Sequence, residues 1–215
     1  MVSNEWLMQQ YDKGVIYWHA GGTFVVYGAI YSTYKQQNLH RGHLGFPLND
    51  ETAVGDGKGR YNDFQHGSIY WTKETDARVI NHGDIYTKWK SKGGAKGYLG
   101  YPSSNEGTTP DKIGSYLHFQ GGSIYKGPMY HYDGTYTLYT HIVHSKIREE
   151  WERRRWERGL LGYPSRDTEG IEQDGTISST LRNSFYGGDI EWNQAQATGY
   201  SVGITGNPVE SIKAK

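Results

Sequence analysis

One motif occurs four times along the 215 residues of this chain, and this repetition constrains the fold more than any other feature. Each copy has an aromatic residue, two variable positions, Gly, one variable position and Ile, with Tyr or Trp close behind. The motif glycines lie 53, 55 and 66 residues apart, at Gly14, Gly67, Gly122 and Gly188. A repeat of this length is typical of arrays in which small units share one interior, because a single unit cannot bury its apolar face alone.

A second motif, Leu-Gly-Phe or Leu-Gly-Tyr followed by Pro, alternates with the first. Its copies begin at Leu44, Leu99 and Leu161. Proline fixes its own φ angle and favours an extended conformation in the residue before it, so this motif ends any preceding helix. A glutamate follows each copy, and we interpret these residues as acceptors of backbone N–H groups in a turn; they are Glu51, Glu106 and Glu169.

The two alternating motifs resemble the LGFP repeat family over nearly the whole chain. The resemblance implies a cell-envelope module of the kind appended to mycolyltransferases, amidases and esterases in actinobacteria. In that family the repeats are thought to hold the protein on wall polysaccharide, and some members fold as a sugar-binding type of propeller. The resemblance therefore implies a polysaccharide partner.

The pattern of the second repeat predicts three short strands, at 60–64, 68–72 and 78–82, followed by a helix through Ile85 and Trp89. Applied to every copy, it predicts a mainly β repeat protein with short helices. We expect four β modules in a propeller-like ring, which protects strand edges, or alternatively an open capped stack. The array forms a single domain, 1–215, with repeats at approximately 5–55, 56–112, 113–178 and 179–206.

Two-residue alternation predicts which face of the motif strand is buried. The motif isoleucines are expected to point inward, and the tryptophans two positions later with them: Ile16, Ile69, Ile124 and Ile190, with Trp18, Trp71 and Trp192. The tyrosines between them are then available on the opposite face: Tyr17, Tyr70 and Tyr125.

The third repeat is longer than the second by seven residues, counted as 39 from Gly122 to Leu161 against 32 from Gly67 to Leu99. Seven residues are about two helical turns. Charged residues at helical spacing predict an elongated helix over 144–159. Its apolar residues, Ile147, Trp151 and Trp156, are a possible surface for a protein partner.

Composition narrows the classes of partner. The chain has 23 basic and 23 acidic residues, so no overall charge favours nucleic acid. It has no cysteine, which excludes disulfides and thiolate metal sites. No apolar stretch is long enough for a membrane span. As written the sequence lacks a secretion signal and fits a cytoplasmic protein, whereas a chain whose leader had been removed would look the same and would be extracellular or bound to the cell wall.

Motifs for catalysis are weak. Neither a nucleophile elbow nor a phosphate-binding glycine loop occurs. His141 and His144 stand three apart and would share one side of a helix as two metal ligands do, but no third ligand follows at a legible spacing. We therefore expect no metal and no cofactor, and we favour a non-catalytic protein over an enzyme. A small enzyme built in the divergent third repeat stays the alternative.

The preferred function is a non-catalytic carbohydrate-binding module. The 19 tyrosines and 7 tryptophans offer rings that stack on sugars, and repetition offers several shallow sites that gain by multivalency. The candidate binding residues flank the motif: Tyr17, His19, Tyr70, Thr72, Tyr125, Lys126, Trp192 and Asn193. An interaction scaffold that uses the third-repeat helix is a further alternative.

Overall fold

The structure, a computed structural model, describes residues 5–172, 176–195 and 200–204. This part of the chain is mainly β and contains four separate antiparallel sheets and three short α-helices. Within each sheet, neighbours along the chain are neighbours in space. Four similar sheets confirm the mainly β repeat architecture that the motif predicts.

Each sheet corresponds to one copy of the repeated motif. The first contains β1 (Leu7–Tyr11), β2 (Gly14–His19) and β3 (Gly22–Tyr27). The second contains β4 (Thr52–Ala53), β5 (Arg60–Asp63), β6 (Gly67–Thr72) and β7 (Asp76–Asn81). The third contains β8 (Gly107–Thr108), β9 (Ser115–Phe119), β10 (Gly122–Tyr130) and β11 (Tyr136–His144). The fourth contains β12 (Glu169–Ile171), β13 (Ile177–Phe185), β14 (Gly188–Asn193) and β15 (Tyr200–Ile204).

A short helix follows each of the first three sheets. The helices are α1 (Gly28–Gln36), α2 (Asp84–Ser91) and α3 (Ser145–Arg153). A single turn of 3-10 helix comes soon after each of them, at Leu39–Arg41, Gly94–Lys96 and Trp156–Arg158. No helix in the described residues is long and apolar enough to cross a membrane.

The described chain divides into two compact units. The first contains the residues up to Thr87 together with Tyr101–Glu106, and the second contains Lys88–Gly100 together with the residues from Gly107 onward. Aromatic and aliphatic side chains fill the core of the first unit, among them Tyr17, Tyr34 and Phe64. The core of the second unit includes Trp151, Leu181 and Ile190. The single domain proposed from the sequence stays a prediction.

The predicted division of the motif strand into a buried and an available face is wrong. Ile69, Ile124 and Ile190 are fully buried as expected, but Ile16 is only half-buried. The tyrosines assigned to the available face are buried, with 0 to 4% of their surface exposed: Tyr17, Tyr70 and Tyr125. The tryptophans assigned to the core are the more accessible residues: Trp18 is 37% exposed, and Trp71 and Trp192 are half-buried.

The physical reason is that both faces of the motif strand are covered. Tyr17 packs edge-on against Tyr34 of α1 and against Phe46 of the Pro motif. Tyr125 packs edge-on against Trp151 of α3, with ring centroids 4.7 Å apart. When a helix covers the second face of a sheet, the alternation of the strand no longer separates core from solvent.

The predicted long helix of the third repeat is also wrong. The helix α3 has nine residues, as α1 does, and ends at Arg153. The additional residues lie in the β10–β11 hairpin, whose strands have nine residues each, whereas β6 and β7 have six. Positive φ angles at Arg155 (74°) and Trp156 (58°) interrupt the helical run.

The glycine of the Leu-Gly motif anchors the preceding helix. Its φ angle is positive in all three copies, at 73°, 67° and 68°, a conformation that favours glycine. In each copy its carbonyl accepts a hydrogen bond from an aromatic residue of the helix. The pairs are Tyr34 Oη with Gly45 O (2.7 Å), Trp89 Nε1 with Gly100 O (2.9 Å) and Trp151 Nε1 with Gly162 O (3.2 Å).

The residue three positions after the motif proline caps an edge strand. A side-chain oxygen accepts the backbone N–H of β3, β7 or β11, in the pairs Asp50 with Val25 (2.8 Å), Asn105 with Val79 (3.2 Å) and Asp167 with Ile142 (3.1 Å). This is the duty that the sequence interpretation gave to the nearby glutamates. The three glutamates have different partners. Glu51 forms an ion pair with Arg60, and Glu106 accepts a hydrogen bond from Asn81 Nδ2 at 3.0 Å. Glu169, in β12, lies opposite Arg182 of β13.

Candidate functional site

A cleft of about 310 Å³ lies in the first unit, where β3 ends and α1 begins. Its walls come from the end of β3, the first turn of α1, the loop before β4, and strands β5 and β6. The lining residues are Tyr27, Gly28, Ala29, Ile30, Glu51, Arg60 and Trp71. The volume lies at the lower end of the range that small-molecule sites occupy, roughly 300–1,000 Å³.

Strand register brings the central residues of the cleft together. Arg60 and Trp71 are directly opposite each other on β5 and β6. Side chains in such cross-strand pairs lie on the same face of the sheet. Tyr27 is the last residue of β3, and Gly28 follows it with a φ angle of 63° where the chain turns into α1.

An ion pair forms the polar wall of the cleft. Arg60 Nε donates to Glu51 Oε1, and Arg60 Nη2 donates to the Glu51 backbone carbonyl at 3.2 Å. The hydrogen bond to Glu51 is the largest effect that raises the pKa of the Arg60 guanidinium. The side chain of Glu51 is 8% exposed and that of Arg60 is 40% exposed, so the arginine retains donors for a ligand.

Two aromatic rings supply the apolar part of the cleft. Tyr27 is 44% exposed, and its hydroxyl lies 3.5 Å from Arg60 Nη2. Trp71 is half-buried and packs against the core of the unit. Partial burial holds the indole in place while part of it remains accessible in the cleft. Accessible rings beside a charged donor and acceptor pair can bind a ligand that has both apolar C–H faces and hydroxyl groups.

The lining of this cleft is not repeated in the other sheets. The positions of the Arg60–Trp71 pair are occupied by Leu7–Trp18, Ser115–Lys126 and Leu181–Trp192. The arginine of this pair is therefore particular to the second sheet, whereas the tryptophan recurs in the first and fourth, so these positions are not chemically equivalent as the repetition predicted.

The structure does not bring the sequence-predicted binding residues into one site. Tyr17 is fully buried, and its hydroxyl bonds His40 Nδ1 at 2.9 Å. Thr72 is 1% exposed and bonds Thr75 Oγ1 at 2.9 Å. Tyr70 and Tyr125 are buried as well, so none of the three tyrosine rings has an exposed face on which a sugar can stack, and the Thr72 hydroxyl is not accessible.

The remaining candidates lie in three different sheets. His19 is half-buried against Trp6, with ring centroids 3.8 Å apart. Lys126 is half-buried in β10. Trp192 and Asn193 are half-buried at the end of β14, where Asn193 Nδ2 donates to Thr180 Oγ1 at 3.3 Å. A binding role for these residues stays a prediction.

His141 and His144, which the sequence analysis weighed as a pair of metal ligands on a helix, do not lie on a helix. Both lie in β11, and a separation of three places them on opposite faces of a strand. His141 Nδ1 is 3.6 Å from Asp167 Oδ1, whereas His144 Nδ1 accepts the backbone N–H of Lys146 at the start of α3. Within the described ranges no cluster of three or more His, Asp or Glu has the arrangement of a metal site.

The third repeat contains a Ser–His contact that sequence reasoning did not single out. Ser123 Oγ is 2.6 Å from His118 Nδ1 and accepts from Arg148 Nη1 at 2.9 Å. Burial, and then the charge of Arg148, lower the pKa of His118 to about 4. Ser123 is fully buried, so a substrate has no access to its hydroxyl. The enzyme alternative stays a prediction.

The predicted protein-binding surface of the third repeat is not exposed. Ile147 and Trp151 are fully buried. Trp156 is half-buried and packs against Trp151, with ring centroids 5.3 Å apart. These residues form the core of the second unit, so a protein partner would have to use other side chains.

Comparison with known proteins identifies the family. The model of the LGFP repeat matches residues 7–42, 44–97 and 99–159, which is more than half of the chain. The chain belongs to the LGFP repeat family. The fourth sheet lies beyond the matched LGFP repeats, yet it has the same antiparallel order as the second and third. No curated protein matches the chain.

Proposed function

We propose that this LGFP repeat protein is a non-catalytic carbohydrate-binding module whose ligand occupies the cleft of Tyr27, Glu51, Arg60 and Trp71. The observation that carries the proposal is the arrangement of two accessible aromatic rings around one ion pair in a cleft of about 310 Å³. The resemblance to cell-envelope modules favours a wall polysaccharide as the ligand.

The chemistry of the cleft matches a neutral sugar. One face of a pyranose ring presents C–H groups, which pack on aromatic rings, and its edges present hydroxyl groups. Glu51 can accept a hydrogen bond from a hydroxyl, and Arg60 can donate one. Because the two side chains already bind each other, they are held in place before a ligand arrives, which reduces the entropic cost of binding.

The ring arrangement of the four sheets is also a proposal, with the open stack as its alternative. It is supported by the sequence repeat and by the small size of each module. A compact chain of this length has a radius of gyration of about 17 Å, and an open stack has a larger one. Small-angle X-ray scattering distinguishes the two arrangements.

The binding proposal is tested with neutral oligosaccharides. A glycan array and a pull-down on wall polysaccharide identify a probe, and calorimetry then measures its affinity for variants. We expect Trp71→Ala to weaken binding about 10-fold or more through loss of stacking, and Arg60→Gln to weaken it as well.

Trp18→Ala is the matched control. It makes the same substitution at the equivalent position of the first sheet, outside the cleft. We expect it to leave the affinity unchanged. If the folded protein retains no neutral saccharide, or if Trp71→Ala binds as tightly as the parent protein, the proposal is wrong.

A further inference from the structure

A second cleft, of about 660 Å³, lies in the second unit around the end of α3. It is formed by the last residue of α3, the turn of 3-10 helix that follows and the start of the Leu-Gly motif. Its lining contains four arginines, two carboxyl groups and an aliphatic wall: Arg153, Arg154, Arg155, Arg158, Asp111, Glu157, Leu160, Leu161 and Ile204 with Gly159.

The arginines carry more positive charge than the cleft neutralises. Arg153 and Arg154 both bind Glu150, at 2.8 and 2.9 Å. Arg155 and Arg158 are exposed and form no ion pair with the described part of the chain. Guanidinium groups with free donors bind carboxylates and phosphates in a planar, two-point geometry.

Three of the four arginines are particular to the third repeat, whereas Arg158 corresponds to Arg41 in the first repeat and to Lys96 in the second. At the positions of Arg153, Arg154 and Arg155 the first repeat has Gln36, Gln37 and Asn38, and the second has Ser91, Lys92 and Gly93. Arg155 has a left-handed φ angle of 74°, as Asn38 (65°) and Gly93 (93°) have at the equivalent positions of the first two repeats.

Glu157 supplies an independent observation inside the same cleft. Its Oε1 atom is buried and has no hydrogen-bond partner among the described residues. Burial is the main cause that raises the pKa of this carboxyl, and the charge of Asp111 raises it further, whereas Arg158 opposes the rise. An unpaired buried oxygen is costly, and a bound ligand can supply the missing partner.

From this geometry we infer that the cleft around Arg155, Arg158 and Glu157 binds the carboxylate group of an acidic oligosaccharide. The guanidinium groups bind the carboxylate, Glu157 hydrogen-bonds a ligand hydroxyl, and the exposed Leu160 and Ile204 contact the C–H face of the sugar. The inference rests on the proposed function for its ligand class but uses a separate site. Nucleic acid fits less well, because its bases need exposed aromatic rings and Trp156 is packed in the core.

The test compares an oligogalacturonate with its neutral methyl ester and with inorganic sulfate, by calorimetry on the full chain. We expect the acid to bind at least 10-fold more tightly than the ester, and its affinity to fall as sodium chloride is raised. Equal affinity for acid and ester would overturn the inference. Sulfate that binds as tightly as the acid would reduce the site to one for an oxyanion alone and would overturn the saccharide assignment.

Variants then locate the site. The double variant Arg155→Gln, Arg158→Gln should weaken binding of the acid 10-fold or more, while Arg41→Gln, at the equivalent of Arg158 in the first repeat, should leave it unchanged. Near-ultraviolet circular dichroism confirms that the variants are folded. If the acid binds the double variant as tightly as the parent protein, the inference is wrong, whatever the neutral probe does. Trp71→Ala should retain binding of the acid, so failure of the first site and failure of this one are distinguishable.

The pH dependence of the affinity for the acid tests whether Glu157 contacts the ligand. Its carboxyl is faced by Asp111 from the loop before β9, by Arg158 on its own turn, and by the hydroxyls of Tyr125 and Tyr163. Ionised Glu157 repels the ligand, so affinity for the acid should fall as pH rises through the elevated pKa of Glu157. Glu157→Gln should abolish that fall. A parent protein and a Glu157→Gln variant with the same pH profile would contradict this contact.

Discussion

At the scale of residues, a few backbone contacts fix the position of each helix. The glycine of the Leu-Gly motif has a left-handed φ angle, and its carbonyl accepts a hydrogen bond from a buried Tyr or Trp. The residue three positions after the motif proline caps an edge strand. These contacts recur in three repeats whose surfaces differ, which separates the residues that define the fold from those that can bind a ligand.

Gly162→Ala tests the conformational requirement alone. A Cβ atom at Gly162 would meet nothing closer than the Cβ of Tyr186, at 3.9 Å, so the cost comes from the φ angle of 68°. We expect the free energy of unfolding to fall by about 1 kcal/mol in urea titrations. The control is Gly83→Ala, where the added atom has open space and no positive φ angle. A loss as large at Gly83 as at Gly162 would contradict the interpretation.

Asp167 makes stability dependent on pH. It accepts the backbone N–H of Ile142 and lies 2.8 Å from Lys88 Nζ. Burial opposes its ionisation, but His141 and Lys88 hold the pKa of Asp167 at about 2, below the usual 3.8. Because the folded-state pKa is lowered, the stabilisation is complete above about pH 4 and is lost as pH falls towards about pH 2.

Asp167→Asn should remove this dependence and leave the strand cap in place, as Asn105 caps β7. We expect the parent protein to lose about 1–2 kcal/mol more than the variant when urea titrations at about pH 5 and about pH 2 are compared. Lys88→Gln should reproduce most of the effect, and the double variant should add little. If the effects of the two single substitutions on the free energy of unfolding add up in the double variant, the Asp167–Lys88 pair does not cause the pH dependence.

At the scale of elements, the third sheet differs from the others by its hairpin. The outer half of β10 and β11 projects tyrosines that are 42 to 114% exposed: Tyr130, Tyr132, Tyr136 and Tyr139. The inner half contains the fully buried Ile124 and Ile142. The stabilising contacts of the hairpin are therefore at its base.

Shortening the hairpin should be tolerated. Replacement of residues 130–136 by Asn-Gly joins Met129 to Thr137, which are already paired, through a turn that suits a two-residue loop. Because the removed side chains are almost all exposed, we expect a change of less than about 1 kcal/mol in the free energy of unfolding. Binding of the neutral saccharide should be unchanged. A loss of several kcal/mol would show that the projecting half contributes to the core.

At the scale of the whole molecule, the two compact units are discontinuous in sequence. Tyr101–Glu106 belongs to the first unit, although Lys88–Gly100 belongs to the second. Within the first unit, Tyr101 Oη donates to Asp56 Oδ2 at 2.6 Å, and Asn105 and Glu106 bind β7. The first unit is therefore complete only when the second Pro motif is present.

A fragment ending at residue 106 should be more stable than one ending at residue 100. The shorter fragment lacks three hydrogen bonds, each of which contributes about 1 kcal/mol, so we expect a difference of about 2–4 kcal/mol. Urea unfolding followed by tryptophan fluorescence measures it. Tyr101→Phe in the longer fragment isolates the contribution of the hydroxyl. Equal midpoints for the two fragments would mean that the segment does not stabilise the unit.

The sequence predicted the repeated β modules and the buried Ile69, Ile124 and Ile190, because two-residue alternation and motif spacing are local properties. It misplaced Tyr17 and Trp71, because the element that covers the second face of a strand is distant in sequence. The longer third repeat was assigned to a helix because its charges have helical spacing, although the added residues form strands.

The candidate cleft could be predicted only in part. Glu51 was singled out by its recurrence, but its partner Arg60 lies nine residues later, in β5, and gives no motif signal. Tyr27 and Arg60 approach each other only because α1 starts at Gly28 and β5 pairs with β6 in one register. In the cleft around Arg155, Arg158 and Glu157, the neighbouring glutamates nearly balance the arginines in the sequence. In the fold, Glu150 pairs with Arg153 and Arg154, and Arg155 and Arg158 have no such pairs among the described residues.

The unrepeated lining of the Tyr27–Trp71 cleft has a consequence for how this protein acts on particles. Agglutination requires at least two equivalent sites on each binding unit. On the proposed function, this cleft takes up one neutral ligand per chain, so bridging of two surfaces of that polysaccharide through it requires chains to associate.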